Sequence, residues 1–194
     1  DAQNWCFTPP VRYDPSWPGV AEGPSSGNIE GTLAIAPDGR LLNIMRYDTS
    51  RTKPNYGMVL AYEVDVQHPE QPLRYSHPIP LDGNLSKFSI RKDPVSGEYY
   101  SLISRITDPA HIHARNLLSL VKSDDLMHWK LCADILDARD CDPQYIGFQY
   151  MDFLIEGEDI LFLCRTAVNG ANSYHNSNYI TFHRIQNFRK LQKS

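Results

Sequence analysis

The chain has 194 residues, and its 19 Lys plus Arg and 23 Asp plus Glu give a formal net charge of −4. It therefore lacks the excess of positive charge with which nucleic-acid binders neutralise phosphates. An apolar fraction of 41% excludes an intrinsically disordered chain, and the apolar runs are too short for a membrane helix.

Three hairpins of the same anatomy recur along the sequence. The first turns at Pro-Asp-Gly (37–39) and its second strand ends at Arg46. The second and third turn at 93–97 and 156–158, and end at Arg105 and Arg165. The three arginines are 59 and 60 residues apart, and a repeat of this length indicates a repeated structural unit.

A third strand is predicted after each hairpin, at 58–64, 117–122 and 179–184, and a fourth strand closes the first two units at 73–81 and 130–136. Together these strands define the architecture. Four antiparallel strands per unit, repeated radially, form the blade of a β-propeller. A β-sandwich is the competing architecture, but it does not require matching hairpins sixty residues apart. The sequence predicts an all-β chain with about three blades, the C-terminal half of a six- or seven-bladed propeller. The predicted parts of this single partial domain are an outer strand of a preceding blade with its loop (1–27), two blades (28–82 and 83–140) and a last, incomplete blade (141–194).

This arrangement implies a partner and a location for the arginines. The remainder of the propeller is expected upstream, on the same polypeptide or on a companion chain. The end of each second strand faces one mouth of the channel, so Arg46, Arg105 and Arg165 would converge there. A guanidinium cluster repels itself unless an anion binds, and its planar donors fit a carboxylate or sulfate. An acidic oligosaccharide or polysaccharide is the predicted ligand; the alternative is that each arginine stabilises the junction between blades.

Two further side chains are expected at the same mouth. Glu30 precedes Arg46 by 16 residues and would lie beside it across the hairpin, and Tyr150 would lie near Arg165. Nearby positive charge lowers the pKa of a tyrosine, and a neighbouring glutamate can take its proton. Glu30 and Tyr150 are therefore the candidate catalytic residues.

The motifs around these residues resemble the sialidase superfamily of β-propellers. Residues 30–41 (EGTLAIAPDGRL) followed by Arg46 are similar to that family's glutamate-bearing strand, Asp-Gly turn and second active-site arginine. Residues 149–153 (QYMDF) look like the segment that carries its nucleophilic tyrosine. Residues 123–129 (SDDLMHW) resemble a degenerate Asp-box, and the resemblance covers roughly 28–185.

The resemblance implies a sialidase-like exo-glycosidase that is secreted or periplasmic and uses no cofactor. Tyr150 would be the nucleophile and Glu30 the base that activates it, since sialidases attack with tyrosine. Arg46 and Arg105 would hold the substrate carboxylate. The first arginine of the family and its acid/base aspartate would lie upstream of the given sequence.

Departures from the family pattern leave two other functions open. Met151 follows the tyrosine where sialidases usually have serine, and Arg165 is additional. The stretch from Arg165 through His175 to residues 181–184 (TFHR) resembles propeller polysaccharide lyases and a rhamnosidase family that act on uronic-acid glycans. The alternatives are thus a lyase on such glycans and a glycan-binding propeller without catalysis.

The loops of the same face supply further candidates. His175 and Asn178 lie in a loop of Asn, Gly and Ser and are predicted to bind sugar. His111 and His113 have no nearby third ligand, so no metal site is predicted.

Other polar and aromatic residues are left open. The four cysteines are too few for a disulfide scaffold, and the sequence does not decide whether Cys132 and Cys141 pair. Trp17 could serve as a sugar-stacking platform.

Overall fold

The computed structural model describes residue 5 and residues 7–191, which fold into three antiparallel sheets. In this part of the chain no helix has the length and apolar character needed to span a membrane. The strands are β1 (Asn28–Ile35), β2 (Leu41–Tyr47), β3 (Met58–Val64), β4 (Arg74–Pro80), β5 (Ser89–Lys92), β6 (Tyr99–Ser104), β7 (Leu117–Ser123), β8 (Lys130–Asp137), β9 (Gly147–Glu156), β10 (Asp159–Ala167) and β11 (Tyr179–Ile185), and a 3₁₀ turn follows at Phe188–Lys190.

The three predicted hairpins are present, and a glycine in each turn sets them up. Gly39, Gly97 and Gly157 have φ values of 87°, 77° and 59°, a left-handed conformation that costs glycine little. The turns close the pairs β1–β2, β5–β6 and β9–β10. Because each hairpin joins strands that are adjacent in the sequence, the repeat could be predicted from the sequence alone.

The sheets are arranged side by side as propeller blades. Their strand orders are β1-β2-β3-β4, β5-β6-β7-β8 and β9-β10-β11, and β1 contacts β5 while β5 contacts β9. The Ile90 N–H donates to Thr32 Oγ1 (3.3 Å), and Ser89 Oγ donates to the Met151 carbonyl (3.0 Å). The first strands of successive blades are thus neighbours around a common axis, which confirms an all-β partial propeller.

Apolar side chains fill the two spaces between the blades. Ile44 and Phe88 are fully buried between the first and second blades, and Tyr100 and Phe153 are buried between the second and third. Burial of large side chains of this kind contributes about 1.5–3 kcal/mol each. The two cores fix the angle between neighbouring blades and hence the positions of the loops at the channel mouth.

The segment before β1 differs from the sequence expectation. Residues 7–20 form no strand, so the outer strand expected at Trp5 to Tyr13 does not appear in its described part. Tyr13 hydrogen-bonds through its hydroxyl to Tyr47 (2.8 Å), and Trp17 stacks on Tyr75 with ring centroids 4.5 Å apart. Aromatic packing therefore draws the segment onto the first blade, and Trp17 serves this packing, with one ring face covered by Tyr75.

The Asp-box-like segment forms a tight turn between β7 and β8. Asp125 Oδ1 accepts the N–H groups of Met127 (2.7 Å) and His128 (2.8 Å), and Trp129 Nε1 donates to the Leu126 carbonyl (3.0 Å). The turn lies at the end of the blade opposite to the loops that follow the second strands. Its role in the fold is structural, because it caps the edge of the second blade.

The described cysteines are free thiols, which answers the question of the Cys132–Cys141 pair. Cys132 and Cys164 are buried and Cys141 is exposed, while Cys6 lies outside the described residues. Burial raises the pKa of Cys132 to about 11. Cys132 is therefore an apolar core residue that stays protonated at neutral pH.

One buried ion pair joins the third blade to the second. Arg189, in the terminal 3₁₀ turn, donates through Nε and Nη2 to both oxygens of Asp93 at 2.7 and 2.6 Å, and Asp93 is fully buried. The Arg189 hydrogen bonds and those from Ser96 hold the pKa of Asp93 below its ordinary value of 3.8, against the opposing effect of burial.

Arg189→Ala is expected to lower the free energy of unfolding by about 3 kcal/mol, because it leaves a buried carboxylate without its partner. Since folding lowers the pKa of Asp93, the pair stabilises the wild type above pH 3.8, and this stability is lost as the pH falls below that value. The measurement is urea unfolding of both proteins at pH 7 and pH 3. Arg40→Ala, at an exposed ion pair with Asp38, is the control and should have a much smaller effect. An equal effect of the two substitutions would contradict this role.

Candidate active site at the channel mouth

Glu30 and Tyr150 occupy equivalent positions on the first strands of the first and third blades. Each lies at a β-bulge, where the pairing with the second strand shifts immediately after Arg46 or Arg165 has been paired. Each has a φ of 56°, a left-handed conformation that is unfavourable for residues other than glycine. Such strain is concentrated at functional sites. Both candidate catalytic side chains are therefore directed by the same feature, a β-bulge with a left-handed residue.

Glu30 lies beside Arg46, as the hairpin register predicts. Arg46 Nη1 donates to Glu30 Oε2 at 2.8 Å, and the two side chains are 13% and 25% exposed. Glu30 Oε1 accepts no hydrogen bond from the described residues, and the buried Arg46 Nε likewise has no acceptor there. Glu30 Oε1 is therefore left as an acceptor for a ligand, while Arg46 Nε is an unsatisfied donor buried beneath the site.

Tyr150 and Arg165 also lie together. The Arg165 guanidinium carbon is 5.0 Å from the centre of the Tyr150 ring, and Arg165 Nη2 donates to the His175 carbonyl at 3.2 Å. The Tyr150 hydroxyl has no hydrogen-bond partner within residues 7–191, and Glu30 does not reach it. The phenol is thus held through its ring, and its oxygen is left available.

A third cation, Arg115, was missed by the sequence reasoning. It lies in the loop before β7 with only 6% exposure, and its guanidinium faces the rings of Tyr150 (5.9 Å) and Tyr174 (5.4 Å). Arg115 Nη1 donates to Gln149 Oε1, and Nη2 donates to the Leu85 carbonyl at 3.3 Å. Within the described ranges, no carboxylate lies at ion-pair distance from Arg115.

The electrostatic surroundings of Arg115 link the two halves of the site. Burial lowers its pKa, and the positive charge of Arg46 acts in the same direction. Tyr174, Tyr150 and Glu30 act in the opposite direction. Arg115 therefore lies within electrostatic reach of both candidate catalytic residues, and it remains charged because arginine does not lose its proton in proteins.

The charges at the mouth do not balance. We call Arg46, Arg115 and Arg165 the arginine cluster. Two carboxylates accompany it, namely Glu30, which pairs with Arg46, and Asp48, which also lies near Arg46. Hydrogen bonds from Ser50 and Ser26 and the charge of Arg46 lower the pKa of Asp48, although burial opposes them. Three cations against two carboxylates leave a surplus of positive charge, which favours an anionic ligand.

Gln149 connects the arginine cluster to the loop between β10 and β11. Its side chain is fully buried, and while Oε1 accepts from Arg115, Nε2 donates to the carbonyls of Tyr174 (2.8 Å) and His175 (3.0 Å) and to Ser177 Oγ (3.0 Å). One amide thus fixes a guanidinium and a loop backbone at the same time. The side chains of this loop are positioned by the same network as the cluster.

The two loop residues predicted to bind sugar have different environments. Both ends of the Asn178 amide bond the backbone of Val168, at 3.2 and 2.7 Å, so Asn178 closes the loop. This pairing leaves its amide to stabilise the loop, and the sugar contact expected of it is not supported by this geometry. The His175 side chain is exposed, while its carbonyl accepts from Arg165 and Gln149. His175 is thus placed at the rim of the site.

Arg105 does not join the other arginines, which corrects the sequence expectation. Its Nη2 donates to Asp134 Oδ1 at 2.7 Å and its Nε donates to Ser119 Oγ at 3.0 Å. Asp134 lies on β8, the outermost strand, so Arg105 points away from the channel. The physical reason is that β5 begins only at Ser89 and has no bulge, so no first-strand side chain faces Arg105.

A close backbone approach holds the Tyr174 loop against β9. A Cβ atom added at Gly147 would lie 2.7 Å from the Tyr174 carbonyl oxygen, closer than packed atoms allow. Gly147→Ala is therefore expected to displace residues 168–178 and to weaken binding of an acidic sugar at least about threefold, because Gln149 and Arg165 hydrogen-bond to this loop.

Limited proteolysis and ligand titration of Gly147→Ala check this prediction. Val95→Ala, at an exposed position of the β5–β6 turn at the opposite end of the second blade, is the control and should leave both readouts unchanged. Cleavage and affinity equal to those of the wild type would show that the contact does not position the loop.

Comparison with known proteins finds the fold but no family. No protein-family model matches the chain, and no curated protein matches it significantly. An α-L-arabinofuranosidase from Fusarium graminearum, solved with an iminosugar inhibitor, has a TM-score of 0.55 and 11% identity over 86% of this chain and 46% of that one. An α-L-arabinanase from Penicillium chrysogenum, complexed with arabinobiose, has a TM-score of 0.53 and 13% identity over 83% and 46%.

An N-acetylgalactosamine deacetylase from F. plautii, in complex with blood group B trisaccharide, is also similar, with a TM-score of 0.52 and 10% identity over 85% of this chain and 52% of that one. The chain spans about half the length of these structures. At such low identity the likeness shows the fold alone.

Proposed function

We propose that this chain is part of a propeller glycoside hydrolase that acts on an acidic glycan at the channel mouth. The observation that carries the proposal is the surplus of positive charge around Glu30 and Tyr150, centred on buried Arg115. Similar folds in glycan-acting enzymes support a glycoside hydrolase in general terms. None of the names of those proteins specifies an acidic sugar, so that specificity rests on the arginines.

In the proposed mechanism the arginine cluster binds the carboxylate of the terminal sugar. Arg46 and Arg165 each donate one hydrogen bond to the described residues and supply the remaining donors for this carboxylate. Arg115, whose Nη1 and Nη2 bond Gln149 and the Leu85 carbonyl, adds its buried positive charge. Two guanidinium groups lie against the Tyr150 ring, where their charge would stabilise the negative charge that develops on its oxygen during the attack. The site thus carries positive charge before the negatively charged substrate binds.

Tyr150 then attacks the anomeric carbon. Because Glu30 does not reach the hydroxyl directly, the phenolic proton passes to Glu30 through one bridging water. A bond forms between Tyr150 Oη and the anomeric carbon, and the glycosidic C–O bond breaks as the leaving oxygen takes a proton from an acid. Water hydrolyses the glycosyl-tyrosine bond in the second step. The acid is expected in the upstream part of the propeller. Tyrosine suits this carbon because a carboxylate nucleophile would be repelled by the carboxylate of the sugar.

A polysaccharide lyase is the second candidate, and one observation favours it. Glu30 is engaged by Arg46 and does not contact Tyr150, whereas Tyr150 lies against two guanidinium groups. A phenolate beside a neutralised uronate could remove the proton next to that carboxylate. A glycan-binding propeller without catalysis would use the same arginine cluster.

Product analysis separates these functions. The full chain is incubated with oligosaccharides that end in a hexuronic or a sialic acid, and the products are examined by mass spectrometry and ultraviolet absorbance. A hydrolase adds one water per bond broken, and a lyase gives an unsaturated uronate that absorbs in the ultraviolet. Unchanged ligand that binds in titrations would identify a binding protein. Absence of both turnover and acidic-sugar binding would refute the proposal.

The whole protein is proposed to be a larger propeller that is secreted or periplasmic. Apolar side chains are exposed on both outer faces of the three blades, a pattern typical of surfaces that another layer covers. The third blade has three strands, and the matched part is about half of each similar structure, which supports a ring with further blades. The exposed side chains are Ile29, Leu33 and Ile35 on the first blade, and Leu154, Leu163, Ile180 and Phe182 on the third.

A further inference from the structure

A cleft adjoins the arginine cluster on its outer side. It has a volume of about 390 Å³ and is lined by residues 110–114, residues 142–144 and Tyr174. Tyr174 belongs to both places, since its ring also lies 5.4 Å from the Arg115 guanidinium. The loops that line the cleft follow second strands or connect blades, so the cleft opens on the face that carries Glu30 and Tyr150.

The cleft continues outward between the second and third blades. A neighbouring cleft of about 340 Å³ shares His111, Ala114 and Pro143 with it and reaches Arg105 and Arg139. We call the two clefts together the outer groove. Both volumes lie within the usual range of ligand sites, about 300–1,000 Å³. The outer groove therefore offers room for sugar units beyond the one held at the arginine cluster.

The charges of the outer groove differ from those of the arginine cluster. Arg105 is paired with Asp134, and Arg139 is paired with Asp137. Asp108 and Asp142 also line the groove, so that with the partners Asp134 and Asp137 four carboxylates stand against two guanidinium groups. An acidic sugar would thus gain no favourable charge in the outer groove.

The uncharged lining suits a neutral sugar. Ile112, Pro143 and the Tyr174 ring provide apolar surface for the C–H faces of a pyranose or furanose ring. Gln144 and His113 provide hydrogen-bonding groups for hydroxyls. A lining of apolar surface with a few polar groups is the usual composition of small-molecule sites.

We propose that the outer groove binds neutral sugar units on the leaving-group side of the scissile bond. The substrate is then a mixed glycan, in which one terminal acidic sugar is joined to a chain of neutral sugars. This inference rests on the proposed function, since the arginine cluster must hold the acidic unit. It excludes polymers made only of acidic sugars as the preferred substrate, because their second unit would meet Asp142 and Asp108.

Titration calorimetry in a Tyr150→Phe background tests the inference without turnover. The probes are a free hexuronic acid, an oligosaccharide with one terminal hexuronic acid on neutral sugars, a homo-oligomer of that hexuronic acid, and the neutral oligosaccharide alone. Ala110→Trp fills the groove from an exposed wall position, and Val66→Trp, on an exposed turn at the opposite end of the first blade, is the matched control.

The mixed oligosaccharide is expected to bind at least tenfold more tightly than the free acid. Ala110→Trp should remove this gain and leave binding of the free acid unchanged, while Val66→Trp should preserve both. A gain that survives Ala110→Trp, or a homo-oligomer that binds as tightly as the mixed one, would overturn the inference.

Failure of the acidic site gives a different result from failure of the groove. If the free acid does not bind, the proposed function fails, and the neutral oligosaccharide alone then decides about the groove. Its binding, abolished by Ala110→Trp, would sustain a neutral-sugar groove. No binding of the neutral oligosaccharide in that case would overturn the groove as well.

Discussion

Tyr150→Phe is expected to reduce release of the acidic sugar at least about a thousandfold while affinity for that sugar stays within about threefold. The substitution keeps the ring that Arg115 and Arg165 contact, and it removes only a hydroxyl that bonds no described residue. The fold and the anion site should therefore survive, and only the nucleophile is lost. Turnover of a terminally acidic oligosaccharide and titration with the free sugar are the two measurements.

Tyr145→Phe is the matched control for this substitution. Tyr145 is an exposed tyrosine in the connection before β9, and removal of its hydroxyl should leave turnover unchanged. Wild-type release by Tyr150→Phe would exclude the tyrosine as nucleophile. Loss of an ultraviolet-absorbing product in that variant would instead identify Tyr150 as the base of a lyase.

Arg115→Ala is expected to weaken binding of a carboxylated sugar about tenfold to a hundredfold, because the variant loses a buried positive charge beside the bound carboxylate. The guanidinium is buried and has no carboxylate partner in the described part of the chain, so a ligand anion gains most of its attraction. Arg115→Lys keeps the charge but loses the planar fork, and it should show an intermediate loss. Titration at low and high salt measures both effects.

Two controls are needed to interpret the affinity of Arg115→Ala. Arg115 also donates to Gln149, so thermal unfolding must show that the variant is folded before its affinity is interpreted. Arg40→Ala removes an exposed arginine paired with Asp38 and should not change the affinity. If Arg115→Ala and Arg46→Ala both bound the acidic sugar as tightly as the wild type, the anion site would be refuted.

The sequence indicated much of the local structure. The predicted third strands at 58–64, 117–122 and 179–184 agree with β3, β7 and β11 within one residue. The contact between Glu30 and Arg46 also followed from the sequence, because a hairpin with a short turn fixes which residues face each other.

The tertiary structure decided which partner each arginine side chain contacts. Arg105 finds Asp134 on a strand two places farther out, and Arg115 finds Gln149 on the next blade, so both outcomes depend on packing between distant segments. The periodic spacing that made Arg105 prominent therefore gave no information about its direction.

By itself, the sequence determined the repeated hairpins, the partial propeller and the pairing of Glu30 with Arg46, since turn chemistry and strand periodicity act over a few residues. Only the tertiary structure decided that Arg115 stands in the cluster where Arg105 was expected. The reason is that an arginine side chain is oriented by the hydrogen-bond acceptor within its reach. The packing of whole blades determines which acceptor that is.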